Sequence, residues 1–310
     1  GMIRVENATI PIDNSTIRYS GSDGIYIWDR GNSVITSNAV SDNNGNGVSY
    51  SHQVGTATIT GNSVKNNTEI GIYYQADSSD RSVTISNNSV SNNQRQGIYT
   101  GSGTQSINNN VASSNSTGIY TYQGKPTITG NTVIDNSSTG IVANSSDATI
   151  SNNTISNNNA NGEGAGIWAS YAKVIDGNNI TGNSATQRGG GIYVQYGSNT
   201  LIYNNNINDN SAGEGGGIYL NSGGVSSIEL NYITNNTGGG IYLCNGCRPA
   251  INNNDIHSNT GSQGDNIFNA NIAGTTVNAE NNYWGTTNGT AIENSIWHFI
   301  DDSAKGLVDY

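Results

Sequence analysis

Ten times along the chain, an apolar residue is followed by two spacers, Asn, one spacer, a branched or small apolar residue, two spacers and a second Asn. Any fold must put these twenty Asn residues in equivalent places. The frame reads Ile59-Thr-Gly-Asn62-Ser-Val64-Lys-Asn-Asn67 in one unit and Ile128-Thr-Gly-Asn131-Thr-Val133-Ile-Asp-Asn136 in another. A second landmark, usually Gly-Ile-Tyr, falls between frames from Gly24 to Gly240 and is echoed at Asn266. Its step is about 24 residues, a period that marks solenoids, propellers or arrays.

Each repeat carries three short stretches in which apolar and polar residues alternate: the Gly-Ile-Tyr segment, the stretch ending at the frame Ile, and the residues around the frame Val. Alternation of period two marks half-buried strands. No repeat holds ten residues at helical spacing, and abundant Asn and Gly disfavour helix. A propeller blade would need about 40 residues. Three strands and three turns per repeat predict an all-β, single-stranded, right-handed parallel β-helix of about eleven coils, with neighbouring coils about 4.8 Å apart. Segment 1–16 is expected to lead into this solenoid or cap it, 17–284 to form it, and 285–310 to cap the other end.

In that register the two Asn columns run from Asn38 to Asn254 and from Asn43 to Asn259. Both would sit at turns, where Asn tolerates left-handed backbone, and would stack into amide ladders. The residues one and three places after the landmark Gly should point inward with the frame Ile and Val. Each coil borrows its neighbours' contacts, so a fragment of one or two coils should not fold.

Charged residues make up only 11% of the chain and the net charge is −11. The usual charged share is about a quarter, so this surface must consist mainly of amides and hydroxyls. Phosphate backbones would be repelled, which argues against a nucleic-acid partner. No apolar run approaches the roughly 18 residues of a membrane span. Gly1-Met2 looks like an added start and no signal peptide is visible; the chain is expected to be a monomer. Cys244-Asn-Gly-Cys247 lacks the further ligands of a metal site, leaving a disulfide across a tight loop or two free thiols.

Function is expected where the repeat is least faithful. Two places after the landmark Gly, on the outward side, stand Tyr26, Tyr73, Tyr99, Tyr120, Trp168, Tyr193, Tyr219 and Tyr242. With Trp28, Gln75, Tyr122 and Gln195 on the same face, these rings and amides suit the apolar faces and hydroxyls of a polysaccharide or cell-surface glycan; alternatively the rings simply stack on one another. Asp29 and His52 share one offset in adjacent coils and Asp77 lies one residue further on, a spacing that allows acid/base work on a glycan. Glu163, Arg188 and Glu214 share another offset within lengthened Gly-rich turns. They suggest a stacked ion-pair column, or a Ca²⁺ site using the two carboxylates with loop carbonyls. His257 and His298 show no partners in sequence and are expected at the surface.

The run Gly-Ile-Tyr followed by Ile-x-x-Asn-x-Val-x-x-Asn, over about residues 17 to 284, resembles the repeats of the NosD-like and pectin-lyase-like parallel β-helix superfamily. The ending Ala279-Glu-Asn-Asn-Tyr-Trp284-Gly is similar to the closing segment of secreted or surface-anchored β-helix proteins. The resemblance implies an extracellular or cell-surface location and two functional classes. One is a carbohydrate-binding, adhesive or structural rod; the other is a polysaccharide lyase, glycoside hydrolase or epimerase. The Asn-Thr-Asp, Gly-His-Gly and Arg-x-Lys signatures of polygalacturonase-like hydrolases are missing, and fold alone does not choose between the classes.

Overall fold

The computed structural model describes residues 1–29, 31–53, 55–144, 147–196, 200–221, 227–262 and 264–310, without the side chains of Asp29 and His52. It divides into two compact units, residues 1–154 and 155–310, and each is a parallel β-helix. Every full coil contributes one strand to each of three sheets, here numbered 1 to 3 in chain order.

In the first unit, sheets 1 and 2 each have seven strands, sheet 1 running from Ile3–Glu6 to Ile141–Asn144. One coil consists of Ile72–Ala76, Ser82–Ser86 and Ser89–Ser91, and the next of Ile98–Gly101, Thr104–Asn108 and Val111–Ser113. They pair in parallel with Ile72 against Ile98, Ile85 against Ile107 and Val90 against Ala112. In the second unit, sheets 2 and 3 have four full coils, from Val174–Asp176 and Asn179–Thr181 to Ala250–Asn252 and Asp255–His257. The expected coils, period and three strands per coil are therefore present.

Alternation decides the core. Ile72, Tyr74, Ile85 and Val90 are fully buried, and so are their equivalents in other coils, such as Ile25, Ile27, Ile35, Val40, Ile192, Ile202 and Ile207. Burying each such side chain contributes about 1.5–3 kcal/mol. A few inward positions are polar, among them Thr100, Gln105 and Thr121; the fully buried Thr100 hydroxyl has no hydrogen-bond partner among the described residues.

The turns depart from expectation in an instructive way. Positive φ falls on the residue before each ladder Asn: Asn87 (54°) and Asn92 (55°) precede Asn88 and Asn93, and Asp135 (56°) and Leu230 (56°) precede Asn136 and Asn231. The left-handed bend is thus made by a variable residue, leaving the invariant Asn for the ladder alone. Asn88 shows the pattern: Asn62 donates to its Oδ1 from both the backbone N–H (2.9 Å) and Nδ2 (3.0 Å). Asn88 Nδ2 in turn donates to Ile59 O (2.9 Å) and Asn110 Oδ1 (2.9 Å). Both columns are buried, so every amide hydrogen bond is made where losing it is costly.

Pairing extends past the residue-17 boundary, because Ile3–Glu6 already pairs with Ile25–Trp28 and Pro11–Asp13 with Val34–Thr36. After Trp284 the chain forms a short helix, Gly289–Glu293, then adds Ile296–Trp297 to sheet 1 beside Ile267 and Phe268, and pairs Leu307–Asp309 with Thr276–Asn278. Asn282 takes the next place in the first Asn column, accepting from Asn254 N (2.9 Å) and Nδ2 (3.0 Å).

Candidate functional site

The outward side of sheet 1 differs between the two units, and the Gly-rich turns are the cause. In the first unit the turns are short and Tyr73, Tyr99 and Tyr120 are half-buried. Their rings stack at 5.2 Å and 5.5 Å with interplanar angles of 8° and 13°. Faces are spent on neighbouring rings, so the column offers edges and hydroxyls. Tyr26 pairs with Ser49, which separates it from this stack, and Arg4 lies over the Tyr26 ring at 5.3 Å. Trp28 and Tyr122 lie outside the stack and are 43% and 41% exposed. Gln75 folds over Gly101, where a Cβ would approach its Oε1 to 2.1 Å.

In the second unit the lengthened turns fold over the aromatic column. Trp168, Tyr193, Tyr219, Tyr242 and Phe268 form a continuous stack with centroid spacings of 6.3, 5.6, 4.5 and 4.7 Å. Tyr193 and Tyr219 are 1% and 4% exposed, which corrects the expectation that both present themselves to a glycan. Gly189 (φ 64°) and Gly215 (φ 59°) lie against these rings: an added Cβ would come within 2.7 Å of Tyr193 Cβ and 3.0 Å of Tyr219 Cβ. Left-handed geometry and close approach together require glycine there. Gln195 is half-buried.

The same turns carry the ion-pair column. Arg188 Nη1 is 3.2 Å from Glu163 Oε1, and its Nε is 3.2 Å from Glu214 Oε2; its guanidinium sits over the Tyr219 ring at 5.3 Å. Arg188 supplies the positive charge between the two carboxylates that a Ca²⁺ ion would otherwise bring. Burial pushes the Tyr219 hydroxyl up to about 12, against the lowering effect of Arg188. Tyr193 is raised further, by burial and by its hydrogen bond to Glu163.

Backbone register sets Asp29 beside His52, and His52 beside Ala76, so Asp77 falls one residue beyond the row. The side chains of Asp29 and His52, and all of Arg30, lie outside the described residues. Asp77 Oδ1 accepts from Arg81 Nε at 3.3 Å.

Both remaining histidines have partners. His298 is buried: Val308 N–H donates to its Nδ1 (3.0 Å), and its Nε2 meets Glu293 Oε1 (2.8 Å). With Nδ1 accepting from the backbone, Nε2 carries the proton and the ring has no lone pair left for a metal, although Glu293, His298 and Asp301 lie close enough to form a ligand set. Position 298 follows the last repeat, so periodicity gave no warning of this burial. His257 Nε2 lies 3.2 Å from Asp255 Oδ1, and its Nδ1 is 2.8 Å from Ser258 Oγ. Cys244 and Cys247 form a disulfide. No helix among the described residues is long and apolar enough to cross a membrane.

Tyr232, Asp255 and Tyr283, which lie on sheet 3 rather than sheet 1, line a cleft that the aromatic pattern did not disclose. The signal was present as a break in composition. The place after the first ladder Asn is small or polar in most coils but holds Tyr232 and then Asp255, with Tyr283 following Asn282.

No curated protein and no solved structure matches the chain. The family described as a right handed beta helix region matches residues 1–155 and 122–296, which together span nearly all of the sequence. The strand register, inward columns and family match agree, and the chain belongs to the right-handed β-helix family.

Proposed function

We propose that this chain is an extracellular or cell-surface β-helix that binds a glycan along sheet 1 of the 1–154 unit. The observation that carries the reading is the exposure of Trp28 and Tyr122 beside a stacked tyrosine column whose hydroxyls and edges face outward. The two exposed rings supply stacking surface, while Gln75 and the hydroxyls of Tyr73, Tyr99 and Tyr120 supply hydrogen bonds. Trp168, Gln195 and Tyr242 are secondary contacts. The Cys244–Cys247 disulfide supports an oxidising compartment. The test is a polysaccharide panel scored for both binding and product release. Trp28→Ala with Tyr122→Ala should weaken binding by about tenfold or more, in keeping with the roughly 1.4 kcal/mol per decade of affinity; undiminished binding would remove the sheet 1 face from consideration.

A second reading, polysaccharide processing, is favoured by the register that sets Asp29 beside His52, with Asp77 one residue beyond that row. It requires released product that is lost in His52→Ala. Release that survives this substitution would mean an enzyme with its chemistry elsewhere.

A further inference from the structure

Tyr232, Asp255 and Tyr283 are register neighbours in three successive coils at the outer side of sheet 3. Both tyrosines stand out from the surface, 59% and 53% exposed, while the carboxylate between them is shorter and sits lower. The result is a notch one coil wide, with a volume of about 360 Å³, extended sideways by Leu230, Asn253 and Asn281. Two coil spacings separate the tyrosine backbones by about 9.6 Å. A ring held in van der Waals contact with both walls needs about 7–8 Å, so one ring fits.

The amides of the notch are available. Asn253 and Asn281 make no side-chain hydrogen bond among the described residues, in contrast to Asn231 and Asn254 of the ladder behind them. Asp255 Oδ1 is buried, 3.2 Å from His257 Nε2 and without a hydrogen bond among the described residues, so the carboxylate meets the notch only through the part of its side chain that stays exposed, about a quarter of it. His257 also packs edge-on against Tyr283, with centroids 6.0 Å apart, which fixes one wall. Two rings, two amides that both donate and accept, and a carboxylate that only accepts match the C–H faces and hydroxyls of a sugar. A quaternary cation would use the rings and the carboxylate but not the amide donors. An acidic sugar would meet the Asp255 charge.

We propose that the notch between Tyr232 and Tyr283 binds one neutral hexopyranose unit of a glycan, with Asp255, Asn253 and Asn281 taking its hydroxyls. The inference rests on the carbohydrate reading of the chain but assigns a site on a different sheet from the Trp28 and Tyr122 face.

The test is calorimetric titration of the full chain with neutral gluco-, galacto- and manno-oligosaccharides, uronate oligosaccharides and tetramethylammonium. It compares the unaltered chain with Tyr232→Ala, Asp255→Asn, Tyr283→Ala and the Trp28→Ala/Tyr122→Ala pair. The expected result is that a neutral oligosaccharide binds and that Tyr232→Ala and Asp255→Asn each remove one binding event or weaken it at least tenfold, with melting temperatures unchanged. Tyr283→Ala should agree, which guards against a misfolded single variant. Binding lost only in the Trp28/Tyr122 pair overturns this site and leaves the sheet 1 reading standing; binding lost only in the notch variants supports this site and withdraws sheet 1. Preference for uronates or tetramethylammonium overturns the assignment to a neutral sugar, and failure of every saccharide overturns both readings.

Discussion

At the scale of single residues, the chain separates two jobs that its Asn richness blurs together. Asn87 bends the backbone at φ 54° and Asn88 stitches coils through its amide. Asn87→Gly should therefore be tolerated, whereas Asn87→Val should cost about 1–2 kcal/mol by forcing a branched residue into left-handed geometry. Asn88→Ala removes four buried hydrogen bonds, those from Asn62 N–H and Nδ2 and those to Ile59 O and Asn110 Oδ1, and should cost about 2–4 kcal/mol. Denaturant titration of the three variants checks the order; equal costs at 87 and 88 would contradict the division of labour. Thr100 offers the opposite case. Its buried hydroxyl has no partner, so Thr100→Val should raise stability by about 1 kcal/mol. Both Asn columns were legible in sequence because they never vary. The bend at the preceding residue was not, since Asn, Asp, Ser, Gly and even Leu230 occupy it, and a position defined by conformation rather than chemistry leaves little trace in composition.

At the scale of elements, the sheet 1 strands of each unit carry the same aromatic offset under two different roofs. Short turns leave Tyr73, Tyr99 and Tyr120 half-exposed, while turns lengthened around Glu163, Arg188 and Glu214 bury Tyr193 and Tyr219. The alternation that placed these rings outward was correct as a direction along the strand, but it says nothing about what a neighbouring loop lays on top. Gly189→Ala tests the roof: the added methyl meets Tyr193 Cβ at 2.7 Å under a φ of 64°. The expected loss is about 1–3 kcal/mol, with weakened near-ultraviolet dichroism from the ring stack; an unperturbed spectrum would mean that the turn is not packed on the rings. The buried phenols also fix an alkaline limit. Tyr219 has its folded value raised to about 12 from the ordinary 10, so its stabilising contribution is intact below pH 10 and is lost as pH rises towards 12. Phenolate absorbance should show a late-ionising class of tyrosines, with unfolding setting in over that interval.

At the scale of the whole molecule, the sequence period carried the fold almost completely, because each coil obeys the same four inward positions and the same two ladders. The closing segment was less legible, since nothing there repeats. Its anchor is Glu293, which accepts from Tyr310 OH and meets His298 Nε2. Burial pushes the Glu293 carboxyl up, but the hydrogen bonds from Tyr310 and His298 together outweigh this and hold it below the usual range. A lowered folded value means that its stabilisation is present above the unfolded carboxylate pKa of about 4.3 and disappears as pH falls through the folded value. Acid should therefore loosen the closing segment around His298, read as faster amide exchange near Val308, and Glu293→Gln should abolish that pH dependence. The place of Asn282 in the first Asn column has a further consequence. Asn282 grips Asn254 with the same two hydrogen bonds that one coil uses to grip the next, so this contact depends on the repeat, whereas the packing of His257 on Tyr283 is particular to one coil. A whole coil inserted or removed upstream of the one that carries His257 should therefore leave both contacts in place, and chain length at that point becomes adjustable in steps of one repeat.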